Sequence, residues 1–149
     1  FMAELEAFGP TLIGLSTYIW SLPVFAALTE RIRARWPSVP VVAGGPAARR
    51  SVLDLPLYQG LRNRLDAVVT GEGEEVIRAL VREHQTPRWT SRVPGLEVPQ
   101  HGLWRSSATI DRPVIDDYPS PYQLDGGPPH KTAYIQTFRA CPVPCAVCQ

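Results

Sequence analysis

The sequence of 149 residues has no cysteine before residue 141, a single lysine (Lys131), and no apolar run approaching the ~18–20 residues that a membrane helix needs. All 3 cysteines fall in the last nine residues, which does not suit a disulfide framework, since such frameworks spread even numbers of cysteines through a small secreted fold. An excess of charge is missing too. Against 14 acidic side chains stand 15 basic ones, a net charge of +1, so there is no field for a polyanion and nucleic acid is not the default partner. The opening Phe1-Met2-Ala3-Glu4-Leu5-Glu6 is acidic and helical in pattern, where a signal peptide would be basic. These absences predict a soluble, cytoplasmic protein with no membrane and no nucleic-acid partner. What is present suffices for a core, with 44% hydrophobic and 19% charged residues. Proline is the one excess: 16 residues, about twice the usual ~5%, of which 10 follow Thr86.

Short apolar runs alternate with helical patterns through the first half. Thr11-Leu12-Ile13-Gly14-Leu15-Ser16 lacks polar alternation and predicts a parallel-sheet strand covered on both faces. Ser21 is placed as a helix N-cap, with Leu22 and Pro23 in the first turn. Val24, Phe25, Leu28 and Ile32 predict the buried stripe of that helix, and Glu30, Arg31, Arg33 and Arg35 its outer face, before Pro37 ends it. A second strand is expected over residues 39–43, a helix broken by Pro56 over 47–65, and a third strand over 67–70. Glu74 and Glu75 then begin a helix, where its dipole favours carboxylates, with Val76, Ile77, Leu80 and Val81 facing inward. This rhythm predicts βαβ units on a parallel sheet, hence an α/β fold. Beyond His84 the prolines multiply. Residues 95–98 and 104–110 suit a small hairpin around His101-Gly102, 111–129 an extended connector, and 132–137 a fourth strand.

That strand leads into Cys141-Pro142-Val143-Pro144-Cys145-Ala146-Val147-Cys148, a CxxxCxxC spacing. Three thiolates on one tight loop can each take a different iron of a [4Fe–4S] cube and leave the fourth iron for another ligand. Zinc would need a fourth protein ligand, and the nearest histidine, His130, is 11 residues upstream. Zinc with a ligand from outside this chain, or unligated thiols, are the alternatives. Behind its apolar strand and Arg139-Ala140, the loop resembles the opening strand and cluster loop of the radical S-adenosylmethionine (SAM) enzymes. The resemblance implies that Cys141, Cys145 and Cys148 hold a [4Fe–4S] cluster whose open iron chelates SAM. That family usually has an aromatic residue before the third cysteine, and this chain has Val147.

Two glycine turns follow the expected strands: Gly44-Gly45-Pro46 and Gly71-Glu72-Gly73-Glu74. Parallel sheets bind ligands beyond the carboxyl ends of their strands, and glycine lets a large ligand approach the backbone. Neither turn matches GxGxxG or a P-loop. Together with Leu15-Ser16-Thr17-Tyr18-Ile19-Trp20, they resemble the cobalamin-binding domain attached to many radical SAM enzymes. Asp116-Asp117-Tyr118-Pro119-Ser120-Pro121-Tyr122 is similar to the connector between that domain and the barrel.

The resemblance implies a Rossmann-like cobalamin-binding domain over 1–86 without its first strand, a hairpin and Pro-rich connector over 87–130, and the start of a radical SAM barrel over 131–149. It places Ser16, Thr17 and Tyr18 near the nucleotide tail of cobalamin. Gly44, Gly45, Pro46, Gly71, Glu72 and Gly73 would line the groove for tail and corrin edge. The DxHxxG loop that often supplies the lower cobalt ligand has no counterpart here, and His84, His101 and His130 lack its surroundings. The implied activity is methyl transfer from SAM, via methylcobalamin, to a carbon of a small-molecule or peptide-derived natural-product precursor, such as the indole C2 of tryptophan. A non-methylating rearrangement or cyclisation is one alternative; an α/β binding module ending in a zinc knuckle is another. The chain is expected to need the remainder of the barrel for activity. Trp20, Trp36, Trp89 and Trp104 are expected to pack, and Arg49-Arg50 to be a solvated loop.

Overall fold

The computed structural model describes residues 1–110 together with Tyr118, Pro119 and Tyr122. Apart from those three, the connector expected over 111–129, the strand over 132–137 and the cluster loop with Cys141, Cys145 and Cys148 lie outside the described residues. The chain divides into two compact units, Phe1–Pro113 and Val114–Gln149, and the first is described below.

It opens with α1 (Met2–Phe8), closed by Gly9 in the left-handed conformation. Then follow β1 (Ile13–Ser16), α2 (Leu22–Arg35) and β2 (Val41–Gly44). Pro56 breaks the next helical stretch into α3 (Arg50–Leu53), a 3-10 turn (Pro56–Tyr58) and α4 (Gln59–Arg62). β3 (Ala67–Val69), α5 (Glu74–Glu83), α6 (Trp89–Arg92), β4 (Leu96–Gln100) and β5 (Leu103–Ser106) complete it.

The strands form one five-stranded sheet in the order β1-β2-β3-β4-β5. The first three are parallel, with Gly14 opposite Val42, Ser16 opposite Gly44 and Val42 opposite Ala67. β4 runs antiparallel to β3, and β5 antiparallel to β4. The sheet is therefore mixed. The expected hairpin forms, turning on His101 (φ 49°) and Gly102 (φ 80°), two positive angles that suit a tight two-residue loop. It continues the sheet past β3.

Parallel crossovers of one hand, stepping the same way along a sheet, put their helices on one face. α2, α3 and α4 share a face here, and the core beneath them joins Ile13, Leu15, Val41, Ala43 and Val68 to Leu22, Ile32, Leu53 and Leu61. The opposite face packs Val42, Ala67, Val69 and Leu96 against Val76 and Leu80 of α5 and Val93. Among the described residues, no helix is long and apolar enough to cross a membrane.

Four local expectations need correction. β1 is not covered on both faces, because Ile13 and Leu15 are buried while Gly14 and Ser16 are open. In α2 the buried positions are Leu22, Thr29 and Ile32, and Val24 points to solvent. Arg33 turns inward, its guanidinium donating to the carbonyls of Arg64 (2.9 Å) and Val39 (2.8 Å) and to Asp66. Asp66 also accepts the Val41 N–H at 2.7 Å, so one charged pair ties α2 to the entries of β2 and β3. In α5 only Val76 and Leu80 are buried, whereas Ile77 and Val81 are exposed.

Candidate functional site

A groove of about 500 Å³ opens at the carboxyl ends of β1, β2 and β3, on the sheet face that carries α5. Its existence follows from side-chain size. Period-2 alternation sends Gly14 and Ser16 of β1 and Gly44 of β2 to this face, where neighbouring strands offer Val42 and Val69. A Cβ added to Gly14 would meet nothing within 4 Å, so the glycine lowers the floor without serving the packing. Gly71, at φ +82°, likewise faces open space and needs its glycine for the turn. Leu12, Ile77 and Leu80 form the walls. Among the described residues that line the groove, Ser16 has the one polar side chain.

The expected site residues separate into three groups. Ser16, Gly44, Gly45, Gly71 and Gly73 line the groove together. Thr17 is fully buried beneath it, with its hydroxyl on the Gly44 carbonyl at 2.9 Å. Tyr18, Pro46 and Glu72 lie outside the lining. Tyr18 instead stacks on Trp20 with ring centroids 4.8 Å apart and planes 14° from parallel. Ser21 holds this turn at the N-cap of α2: its hydroxyl accepts the Tyr18 N–H at 2.9 Å and donates to the Tyr18 carbonyl at 3.0 Å. It therefore leaves the helix's own first N–H groups without a side-chain cap.

Sequence reasoning missed Leu12, Gly14, Leu15, Val42, Val69, Ile77 and Leu80. A glycine in the middle of an apolar strand was the available signal, since it weakens a strand unless something approaches the backbone there.

The remaining candidates serve the fold. Trp36 and Trp104 pack against the core under α2, and Trp89 against the core under α5, whereas Trp20 is 74% exposed. Arg50 is not a solvated loop residue: it meets Glu97 at 2.7 Å and 2.6 Å and Ser106 at 2.8 Å, clamping α3 to the hairpin. The hydrogen bond to Glu97 raises the Arg50 guanidinium pKa further above its ordinary value. Two guanidinium groups approach the Trp104 ring, Arg62 at 4.9 Å and Arg50 at 6.0 Å from its centroid, and its indole N–H donates to Asp54 at 2.9 Å. Glu74 and Glu75 occupy the first turn of α5, and Glu75 pairs with Arg78 at 2.8 Å. His84 Nε2 lies 3.1 Å from Thr11 Oγ1, tying the end of α5 to the approach to β1. His101 sits in the hairpin turn. Among the described residues, no three His, Cys, Asp or Glu side chains gather as a metal site.

The chain is 33% identical, over 93% of its length, to a 2-(S-pantetheinyl)-carbapenam-3-carboxylate methyltransferase of Streptantibioticus cattleyicolor. It is 31% identical, again over 93% of its length, to the cobalamin-dependent radical SAM methyltransferase TokK of Streptomyces tokunonensis. In each case it spans 22% of the relative's own length. Residues 1–81 match the B12 binding domain, and they hold β1 to β3, both glycine turns and most of α5. The chain belongs to the B12-binding domain family.

Proposed function

We propose that this chain is the cobalamin-holding part of a radical SAM methyltransferase that moves a methyl group from SAM to a carbon of a natural-product precursor. The observation that carries the reading is the apolar, glycine-floored groove at the carboxyl ends of three parallel strands, in a chain of the B12-binding family. The residues present suit a slender group such as a nucleotide tail laid along the backbone. Cβ positions at Gly14 and Gly71 open onto empty space, and the walls are hydrocarbon. When bound, cobalamin supplies a methyl carrier between SAM and the acceptor carbon, chemistry that no side chain offers.

The chain's own part is positioning and dryness. Gly44, Gly45, Gly71 and Gly73 bring backbone against the tail and corrin edge, and Ser16 offers it one hydroxyl. Leu12, Val42, Val69, Ile77 and Leu80 exclude water along the tail. Cys141, Cys145 and Cys148 would hold the [4Fe–4S] cluster and, through its open iron, SAM. The remainder of the barrel and a small-molecule or peptide-derived substrate are the implied partners. Two acceptors come first for trial: a pantetheinylated carbapenam, after the name of one relative, and tryptophan, whose indole C2 comes from the family resemblance alone.

Metal and sulfide analysis of the full-length protein, after anoxic reconstitution with hydroxocobalamin, tests the proposal. Expected are about four irons, four sulfides and one cobalt per chain. Zinc alone would overturn it in favour of a binding module with a zinc knuckle. S-Adenosylhomocysteine among the products separates methyl transfer from rearrangement or cyclisation, neither of which forms it.

A further inference from the structure

Thr17 follows β1 directly and sits beneath the groove, fully buried. Its hydroxyl donates to the Gly44 carbonyl at 2.9 Å, and its own N–H donates to the same oxygen at 2.7 Å. A carbonyl has two lone pairs, and Thr17 supplies a donor for each. The Thr17 carbonyl in turn accepts the Ala47 N–H at 3.2 Å, and the Ala48 N–H returns to Gly45 at 2.9 Å. Gly45, at φ +103°, passes so close that a Cβ there would stand 2.8 Å from the Thr17 carbonyl oxygen. Residues 44–48 are thus wound around a single threonine. Gly44 and Gly45 meet the groove, and Thr17 does not.

We propose that Thr17 is a positioning residue for the corrinoid site, its hydroxyl fixing the Gly44-Gly45 backbone in the shape the ligand meets. A loop held before binding need not be ordered by the ligand, and that saving appears as affinity. The inference rests on the proposed function for the identity of the ligand.

Two substitutions separate this role from packing. Thr17→Val keeps the volume and removes the donor; Thr17→Ser keeps the donor and removes a methyl group. Each full chain is titrated with hydroxocobalamin, followed by quenching of tryptophan fluorescence. Positioning predicts about fivefold weaker binding for Thr17→Val, from the loss of one hydrogen bond, and binding within about twofold of wild type for Thr17→Ser. A purely packing role predicts the reverse order, because only the serine leaves a void. Amide hydrogen exchange supplies a readout without ligand. In the cofactor-free chain, the Ala47 and Ala48 amides are expected to exchange several-fold faster in Thr17→Val and at the wild-type rate in Thr17→Ser. Wild-type binding and exchange in Thr17→Val would overturn the inference alone, as would a serine variant that binds more weakly than the valine variant. No binding by the wild-type chain would overturn the proposed function and this inference together.

Discussion

The two faces of the sheet use the same strands for opposite purposes. Under α2, α3 and α4, every inward side chain of β1 and β2 is aliphatic: Ile13 and Leu15 from one strand, Val41 and Ala43 from the next. On the α5 face, the same two strands offer Gly14, Ser16, Val42 and Gly44. One face stabilises the fold by burying apolar area at about 25 cal/mol per Å². The other leaves part of its apolar surface in water, where it is available to a ligand. Consecutive residues of β1 therefore differ in what they do, and the comparison can be broken by substituting on each face in turn.

The largest effect is expected on the sealed face. Leu61 of α4 is fully buried in that core, and Leu61→Ala should cost about 3 kcal/mol, roughly 15 °C in Tm for a unit of this size. Thermal unfolding followed by circular dichroism measures it. Hydroxocobalamin affinity of the folded fraction, below the lowered Tm, should stay at the wild-type value. An equal loss of affinity would mean that the two faces are not separable.

Gly14→Val reverses the pattern. The new side chain would project into the open groove, where a Cβ meets nothing within 4 Å, and valine favours a strand more than glycine does. Stability should hold or rise slightly, while hydroxocobalamin binding weakens at least about tenfold, or 1.4 kcal/mol. Unchanged binding in a well-folded Gly14→Val chain would show that the ligand does not lie over β1.

These contrasts show which parts of the fold were legible in the sequence. The succession of β1, α2, β2, β3 and α5 was readable because each strand is a short apolar run ended by small or turn-forming residues. The glycine turns that reach the groove were readable for the same reason. The polarity of β1 was hidden because its two faces differ in size and not in charge, so Ile13 and Leu15 against Gly14 and Ser16 looked like one continuous apolar run. Pairing Ser16 with Thr17 as two ligand-facing residues overlooked the period of two that turns them to opposite sides. Arg33 was misplaced because a guanidinium can end among backbone carbonyls and one carboxylate as well as in water. The hairpin's pairing with β3 is a contact between segments some thirty residues apart, and a local pattern carries no information on it.

The smallest contrast lies on one helix. Ile77 and Val81 stand four residues apart on α5, so their side chains are neighbours, and they are 57% and 60% exposed. Exposure alone makes them equivalent, and folding stability should ignore both, since each already contacts water. Only Ile77 lines the groove. Ile77→Ser should weaken hydroxocobalamin binding about threefold to fivefold, the worth of about 1 kcal/mol of hydrocarbon that a ligand would cover, and leave Tm within about 2 °C of wild type. Val81→Ser should change neither quantity. If Val81→Ser weakened binding as much as Ile77→Ser, the ligand would have to extend along the outside of α5, and the groove would be only the inner part of a wider contact surface. If neither did, the tail would lie against the glycine turns alone, with the hydrocarbon wall of α5 left for another chain segment to cover.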